Sequence, residues 1–193
     1  MNTDGNKGVM VVLSGPSGCG KDTVLNRLLE MDKTIKPSVS ATTRSPRRDE
    51  VEGESYYFLS KEDFEQKIED GDFIEYVQYD NNYYGTLKSE VTRVTDNGGV
   101  IVLVIEVKGA ANIIAKYPEA VSVFLMPPSK DILEERLRKR GTDDEDTIRK
   151  RLLIAADEME KSRIYRHVVV NDDLDKTVST VYDIIKMYAA DRS

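Results

Sequence analysis

Two kinds of apolar pattern alternate along the chain. Unbroken apolar runs occur at 9–14 (VMVVLS), 100–106 (VIVLVIE), 121–126 (VSVFLM) and 167–171 (HVVVN). Strands buried on both faces of a parallel sheet read this way, with no polar side to their alternation. Between the runs, apolar residues recur three and four places apart, which predicts helices. One helix opens at Lys21 and reaches Met31, one covers 88–98 and ends at glycine, and one runs from Ala110 to Lys116. Pro127 and Pro128 separate the third strand from a helix over 129–140. A long helix over 144–161 carries Ile148, Leu152, Ala155 and Met159 on one stripe, and a last one covers 174–190. Strands alternating with helices predict an α/β fold with a doubly wound parallel sheet. Ligands of such sheets bind outside the carboxyl ends of the strands.

The segment 36–87 breaks this rhythm. A short strand over Val39–Thr43 leads into a polar loop that carries Arg44, Arg47 and Arg48 and ends near Glu54. Irregular chain of that length commonly carries function. YYFLS (56–60) is a further short strand, and Ser60 is placed to cap the helix KEDFEQKIEDG with Asp63 at the third helical position. Residues 73–87 read as two strands joined around Asp80-Asn81-Asn82. The pieces are short and rich in tyrosine, so this part is expected to form a small mixed-sheet lobe inserted into a larger α/β body. No repeat, low-complexity tract or linker divides the chain, and residues 1–193 are expected to form a single domain.

Composition narrows the function classes. Apolar residues make up 39% and charged residues 33% of the chain, the balance of an ordinary globular protein. No run approaches the ~18 apolar residues of a membrane span, and the start, MNTDGNKG, lacks the apolar centre of a signal peptide. One cysteine, Cys19, and one histidine, His167, leave no internal disulfide and no cysteine or histidine metal cluster. These features point to the cytoplasm. The net charge of −7 argues against nucleic acid or an anionic membrane as partner. Basic residues nevertheless cluster at 44–48, 136–140 and 149–151. Local basic clusters on an acidic chain fit small anionic ligands held in a cleft, the alternative being solvated faces.

The most specific local signal is Gly15-Pro16-Ser17-Gly18-Cys19-Gly20-Lys21, which fits G-x-x-x-x-G-K between the first strand and the first helix. Such a loop turns backbone N–H groups toward polyphosphate oxygens, the helix N-terminus adds its dipole, and the lysine adds a point charge. A tight strand–helix turn without a ligand is the bland alternative; strand before and helix after favour the loop. The place after the lysine, usually Ser or Thr for Mg²⁺, holds Asp22, with Thr23 next. On the 129–140 helix each residue advances about 100°. With Ile132 at zero, Leu133 and Leu137 fall near 100° and 140°, and Arg136 and Arg140 near 40° and 80°, by that same rotation. Both arginines therefore lie in the apolar sector, either snorkelling to water or reaching a phosphate chain. Arg151 faces the same choice. Arg44 and Arg47 flank the stiff pair Ser45-Pro46, a spacing suited to bidentate grip of a phosphate.

GPSGCGKDT, SVSATTRSPR, YYF, FIEYVQYDNNYYGT, RLRKRGTDDEDTIRKRL and VVVNDDL occur in an order that resembles the guanylate kinase family, over roughly residues 8–188. The resemblance implies a P-loop nucleoside monophosphate kinase fold: a parallel five-stranded core sheet flanked by helices, a small mixed-sheet GMP-binding lobe and a helical lid. Core, lobe and lid would cover about 8–38 with 88–140 and 162–190, 39–87, and 141–161. It further implies transfer of the γ-phosphoryl of ATP to GMP or dGMP, with Mg²⁺, in a monomer or homodimer. By matching positions, Gly15 to Thr23, Asn171 and Asp172 would serve ATP. Ser40, Arg44, Arg47, Tyr56, Glu75, Tyr84, Thr86 and Glu106 would serve GMP, and Lys21, Arg44, Arg136, Arg140 and Arg151 the transfer itself. Mg²⁺ would be held mostly by phosphates and water, with Asp22 or Thr23 as possible ligands.

Elementary chemistry agrees with the guanine readers. A carboxylate at 75 can take the two Watson–Crick donors of guanine, and a hydroxyl at 86 can give to O6, whereas adenine would leave these groups unpaired. Without the resemblance, Glu75 and the tyrosines would read as ordinary hairpin surface. Two positions depart from the family pattern: Asp22, and Val104 where the family often has an additional acid two places before Glu106. The alternatives are a guanylate-kinase-like interaction module without catalysis, and a kinase of another small acceptor.

Overall fold

The unbroken apolar runs become the centre of a parallel sheet in the computed structural model, which describes residues 8–79, 81–139, 141 and 144–191. In chain order the elements are β1 (Val9–Ser14), α1 (Lys21–Met31), β2 (Ile35–Pro37), β3 (Ala41–Thr42), β4 (Tyr57–Phe58), α2 (Lys61–Glu69), β5 (Phe73–Tyr79) and β6 (Asn82–Leu87). Then follow α3 (Lys88–Thr95), β7 (Val100–Val104), α4 (Val107–Lys116), β8 (Val121–Met126), α5 (Lys130–Lys139), α6 (Glu145–Glu160), β9 (His167–Val170) and α7 (Leu174–Ala190). The core sheet has the order β2-β7-β1-β8-β9, and every pairing in it is parallel.

Strand periodicity splits the core into two layers. Val9, Val11 and Leu13 of β1 face one way, onto Val24 and Leu28 of α1 and Val178, Val181 and Ile185 of α7. Met10 and Val12 face the other way, onto Val91 and Val94 of α3 and Ala110 and Ile113 of α4. All six residues of β1 are buried, which is why its sequence shows no polar alternation. β9 differs: it is an edge strand in which Val168 and Val170 are exposed and only Val169 is buried.

Two sequence expectations shift. The strand expected at Val39–Thr43 is the shorter β3, which belongs to the lobe, and the sequence did not predict β2, which completes the core sheet. β2 offers only Ile35 as a buried apolar residue, too little for a periodic signal. α4 begins at Val107, three residues before the expected Ala110. Arg140 and Asp80, which the sequence reading placed at a helix end and in a turn, lie outside the described residues.

The lobe sheet has the order β4-β3-β6-β5, with β3 and β4 parallel and the other two pairings antiparallel. Asn81 takes the left-handed conformation the tight β5–β6 turn requires, φ 63°. Ser60 caps α2, its hydroxyl oxygen accepting from the Asp63 N–H at 3.0 Å. The lobe's own core is small: Ala41, Phe64 and Phe73 are buried, with Tyr83 stacked on Phe64. Phe64 lies 4.2 Å from the Phe73 ring and 5.2 Å from the Tyr83 ring, centroid to centroid. Phe64→Ala should therefore cost about 3–5 kcal/mol, read as a shift of the urea midpoint, with hydrogen exchange quickening first in β3, β5 and β6.

Candidate active site

The loop between β1 and α1 is shaped by close approaches that exclude side chains. Gly15 has φ 146°, and a Cβ there would lie 2.4 Å from the Leu125 carbonyl oxygen of β8. At Gly20, φ 94°, a Cβ would lie 2.6 Å from the Asn171 amide nitrogen. Gly20 is also the N-cap of α1, and no side chain among the described residues caps it. The first N–H groups of the helix therefore point into the loop, together with the positive end of the helix dipole. Lys21 is nearly buried and folds over the loop, its ammonium donating to the carbonyls of Gly15 at 2.6 Å and Pro16 at 3.2 Å. The Glu106 carboxylate, just past β7, stands 3.9 Å away. Pro16 and Cys19 close the loop on themselves, the Cys19 N–H donating to the Pro16 carbonyl. Burial pushes the Cys19 thiol up and keeps it protonated. Asp22 and Thr23 are exposed on the first turn of α1, while Ser17 and Gly18 form the outer bend.

Asn171 ties this loop to the neighbouring strands. Its N–H donates to Met126 at 2.8 Å, its side-chain amide donates to the Cys19 carbonyl at 2.8 Å, and its own carbonyl accepts from Arg136 at 2.9 Å. The side-chain amide is thus engaged by the loop itself, while Asp172 beside it is exposed. Arg136 is half-buried on the face of α5 that buries Leu133 and Leu137, and Arg138 and Lys139 are exposed on the other face. Arg138 pairs with Glu134 and Glu145. Arg151 is half-buried on α6, and Arg140 lies outside the described residues.

The lobe gathers a second group of charges. The Arg44 guanidinium forms a two-pronged pair with Glu50 at 2.9 and 2.8 Å, donates to the Ser45 carbonyl at 2.7 Å and lies 5.4 Å from the centre of the Tyr56 ring. The Tyr84 hydroxyl adds a hydrogen bond to it, and Tyr84 meets Tyr56 edge to face. Glu50 also accepts from the Arg47 N–H at 2.7 Å. Its bonds to Arg44 and to that N–H hold its carboxyl down to about 2. The Arg47 side chain is exposed, and Ser40 is half-buried at the start of β3, its carbonyl accepting from the Tyr57 N–H.

Glu75 and Thr86 face each other across β5 and β6 and are both buried. The Thr86 hydroxyl donates to Glu75 at 3.1 Å. Loss of solvent raises the Glu75 carboxyl from the usual 4.5 to about 7, against the lowering effect of its bonds to Thr86. The other oxygen of this carboxylate presses on Gly109 of α4: a Cβ there would lie 2.6 Å from it. Glycine inside a helix costs about 1 kcal/mol relative to alanine, and here it opens the space by which a lobe carboxylate reaches the core.

Three residues of this site escaped the sequence reading. Glu50 gave no signal, because its pairing with Arg44 is set by an irregular loop. Gly109 fell just before the helix expected from Ala110, and only the earlier start of α4 at Val107 places it inside a helix. Glu158 on α6 sits one place from Met159 at the edge of the buried stripe, as Arg136 does on α5. Partial burial and the neighbouring Glu106 raise its carboxyl to about 7, while Lys21 lowers it. His167 lies away from these groups, 3.1 Å from the Tyr188 hydroxyl, and burial lowers its pKa.

Comparison with known proteins matches nearly the whole chain. The family model described as guanylate kinase matches residues 7–188. A guanylate kinase of Latilactobacillus sakei is 46% identical over 182 residues, covering 94% of this chain and 90% of the relative. One of Caldanaerobacter subterraneus is 42% identical over 179 residues, 93% and 87% of the two chains. The crystal structure of guanylate kinase from Anaplasma phagocytophilum superposes with a TM-score of 0.74 at 35% identity, over 95% of this chain and 87% of that one. With nearly its whole length matched and its loop and lobe built as described, the chain belongs to the guanylate kinase family.

Proposed function

We propose that this chain transfers the γ-phosphoryl group of ATP to GMP, and to dGMP, giving ADP and the nucleoside diphosphate. The observation that carries the reading is the pairing of a phosphate loop with a buried carboxylate–hydroxyl pair, Glu75 and Thr86, behind an arginine–tyrosine cluster. In this reading residues 39–87 are the acceptor lobe, 141–161 the lid and the rest the core, and the reaction belongs to the cytoplasm.

Gly15 to Lys21 hold the ATP phosphates through backbone N–H groups, with Asn171 fixing the loop and Asp172 flanking the adenine side. The Lys21 ammonium, held on the Gly15 and Pro16 carbonyls, exchanges these partners for β and γ oxygens. Arg44, Arg47, Tyr56 and Tyr84 grip the GMP phosphate, and Ser40 adds a hydroxyl beside them. Arg44 arrives already oriented, because Glu50 holds its guanidinium plane. Glu75 and Thr86 read guanine, the Thr86 hydroxyl turning from Glu75 to the O6 acceptor. Arg136, Arg140 and Arg151 neutralise charge on the passing phosphoryl as the lid closes and water leaves. No tuned general base is required, since a phosphate monoester is largely ionised near neutrality.

Mg²⁺ fits the donor set at the loop. A hard cation of this kind takes oxygen ligands, commonly one or two from the protein and the rest from substrate phosphates and water. Asp22 and Thr23 on the exposed first turn of α1 would hold it directly or through water, with Glu106 nearby. When bound, it would supply Lewis-acid neutralisation of the charge developing on the phosphoryl oxygens.

Lys21→Ala and Arg136→Ala should each lower turnover at least ~10²-fold while the fold persists. ADP release coupled to a dye, with GMP, dGMP, AMP, CMP and UMP as acceptors, checks both the acceptor and the loss. Near-normal turnover in either variant removes that residue from the mechanism, and a preference for AMP or a pyrimidine nucleotide overturns the acceptor.

Glu75 gives a pH test whose sign is fixed. Its carboxyl ionises near 4.5 when unfolded and near 7 when folded. Between these values the folded chain keeps a proton that the unfolded chain has lost, so stability falls as pH rises through the window. The full cost above pH 7 is about 3 kcal/mol. Glu75→Gln should flatten this part of the urea midpoint profile. Guanine donors favour the ionised carboxylate, so GMP binding by the parent should tighten toward pH 7 more than in Glu75→Gln. The comparison cancels the titration of the GMP phosphate itself near 6. The same variant should lose most of the preference for GMP over AMP while ATP binding is kept.

A further inference from the structure

Outside the site just described, one carboxylate is buried with every oxygen in use. Glu90, in the first turn of α3, is 4% exposed. It accepts from the Val39 N–H at 3.1 Å, the Tyr57 hydroxyl at 2.9 Å and the Arg93 guanidinium at 3.3 Å. The positions of its partners are informative. The chain leaves the core sheet between β2 and β3 and returns at the junction of β6 with α3. At the first crossing, the Ser38 N–H still donates to Val102 of the core, and the Ser40 carbonyl already accepts from Tyr57 of the lobe. Val39 lies between them, and its N–H goes to Glu90. The second crossing is the first turn of α3, which carries Glu90 itself. A single carboxylate therefore bonds one crossing from a seat on the other, and adds a lobe strand through Tyr57. Its own helix is anchored in the core by Val91 and Val94.

We propose that Glu90 is a positioning residue for acceptor binding: it sets how the lobe sits on the core, and through Val39 and Tyr57 it places the adjoining Ser40 and Tyr56. The proposal rests on reading residues 39–87 as the GMP lobe. Geometry favours it over a purely structural role. Both lobe partners of Glu90 are one residue from groups assigned to GMP, whereas none of its partners touches the phosphate loop. A buried carboxylate stripped of one donor leaves an acceptor unpaired, which favours small shifts of the attached strands. These shifts would be felt at the acceptor and not at ATP.

Steady-state kinetics on Glu90→Gln, Tyr57→Phe and the double variant test this, with the parent protein's GMP kinase activity as control. Each single variant should raise the KM for GMP about tenfold, with kcat and the KM for ATP within about twofold. The double variant should match Glu90→Gln within about twofold, because both changes break one network. An unchanged KM for GMP in both single variants overturns the proposal. So does a KM for ATP that rises in step with that for GMP, the mark of general loosening. If Glu90→Gln does not fold, Tyr57→Phe, which removes one oxygen, decides by the same two criteria. A parent protein without GMP kinase activity would instead refute the proposed function, which separates the two failures.

Discussion

The geometry of the phosphate loop depends on one constraint: backbone has to pass where no side chain fits. β1 ends in the middle of the sheet, against the Leu125 carbonyl of β8, and the chain must turn at once into α1. Glycine at 15 permits the close approach, and glycine at 20 permits the left-handed turn beneath Asn171. Asn171 then fastens the loop by its side chain and the adjoining strand by its backbone. Lys21 completes the shape from above through the Gly15 and Pro16 carbonyls. The loop is therefore held in form by its own surroundings, and its N–H groups are oriented before any phosphate arrives. Preorganisation of this kind is where phosphoryl transfer draws its advantage, because the reaction asks for position and charge rather than covalent help.

The lobe solves a different problem, holding like functions apart in a small space. Arg44 is kept by Glu50 and the tyrosines in a part-buried cluster where the opposite charges balance each other. Glu75 sits where charge is poorly solvated, and its carboxyl titrates near neutrality as a result. One environment suits a phosphate and the other a neutral base with donors on one edge. The close approach of Glu75 to Gly109 brings this lobe carboxylate against a helix of the core. Glu90 makes a second tie at the crossings. The lobe thus has its own aromatic core around Phe64, and it meets the core through Ile74, packed with Val91, Val94 and Ala110, as well as through two buried carboxylates.

Much of this was legible in the residues. The runs around Val9, Val100, Val121 and Val168 identified the parallel sheet, because burial on both faces removes polar alternation. The loop at Gly15 to Lys21 was identified by spacing, and Arg136 by helical phase, since the same rotation that buries Leu133 and Leu137 places it on their side. Ser60 was identified as a cap by its distance from Asp63. The short strand β2 was not, because three residues with one buried side chain carry no period. The edge position of β9 was not, because its composition matches that of the central strands and only pairing order distinguishes them.

Sequence by itself therefore determined the element types, the sheet class, the phosphate loop and the family, all of which rest on local spacing or on motifs in order. Only the tertiary structure decided which groups meet: Glu50 with Arg44, Gly109 with Glu75, Asn171 with Cys19, Glu90 with Val39 and Tyr57. These pairs join residues through an irregular loop or across chain separations from 6 to 152 residues. The reason is physical. Periodicity reports which face of an element is buried, but the partner of a polar group depends on where other elements stop, and no repeat in the chain records that.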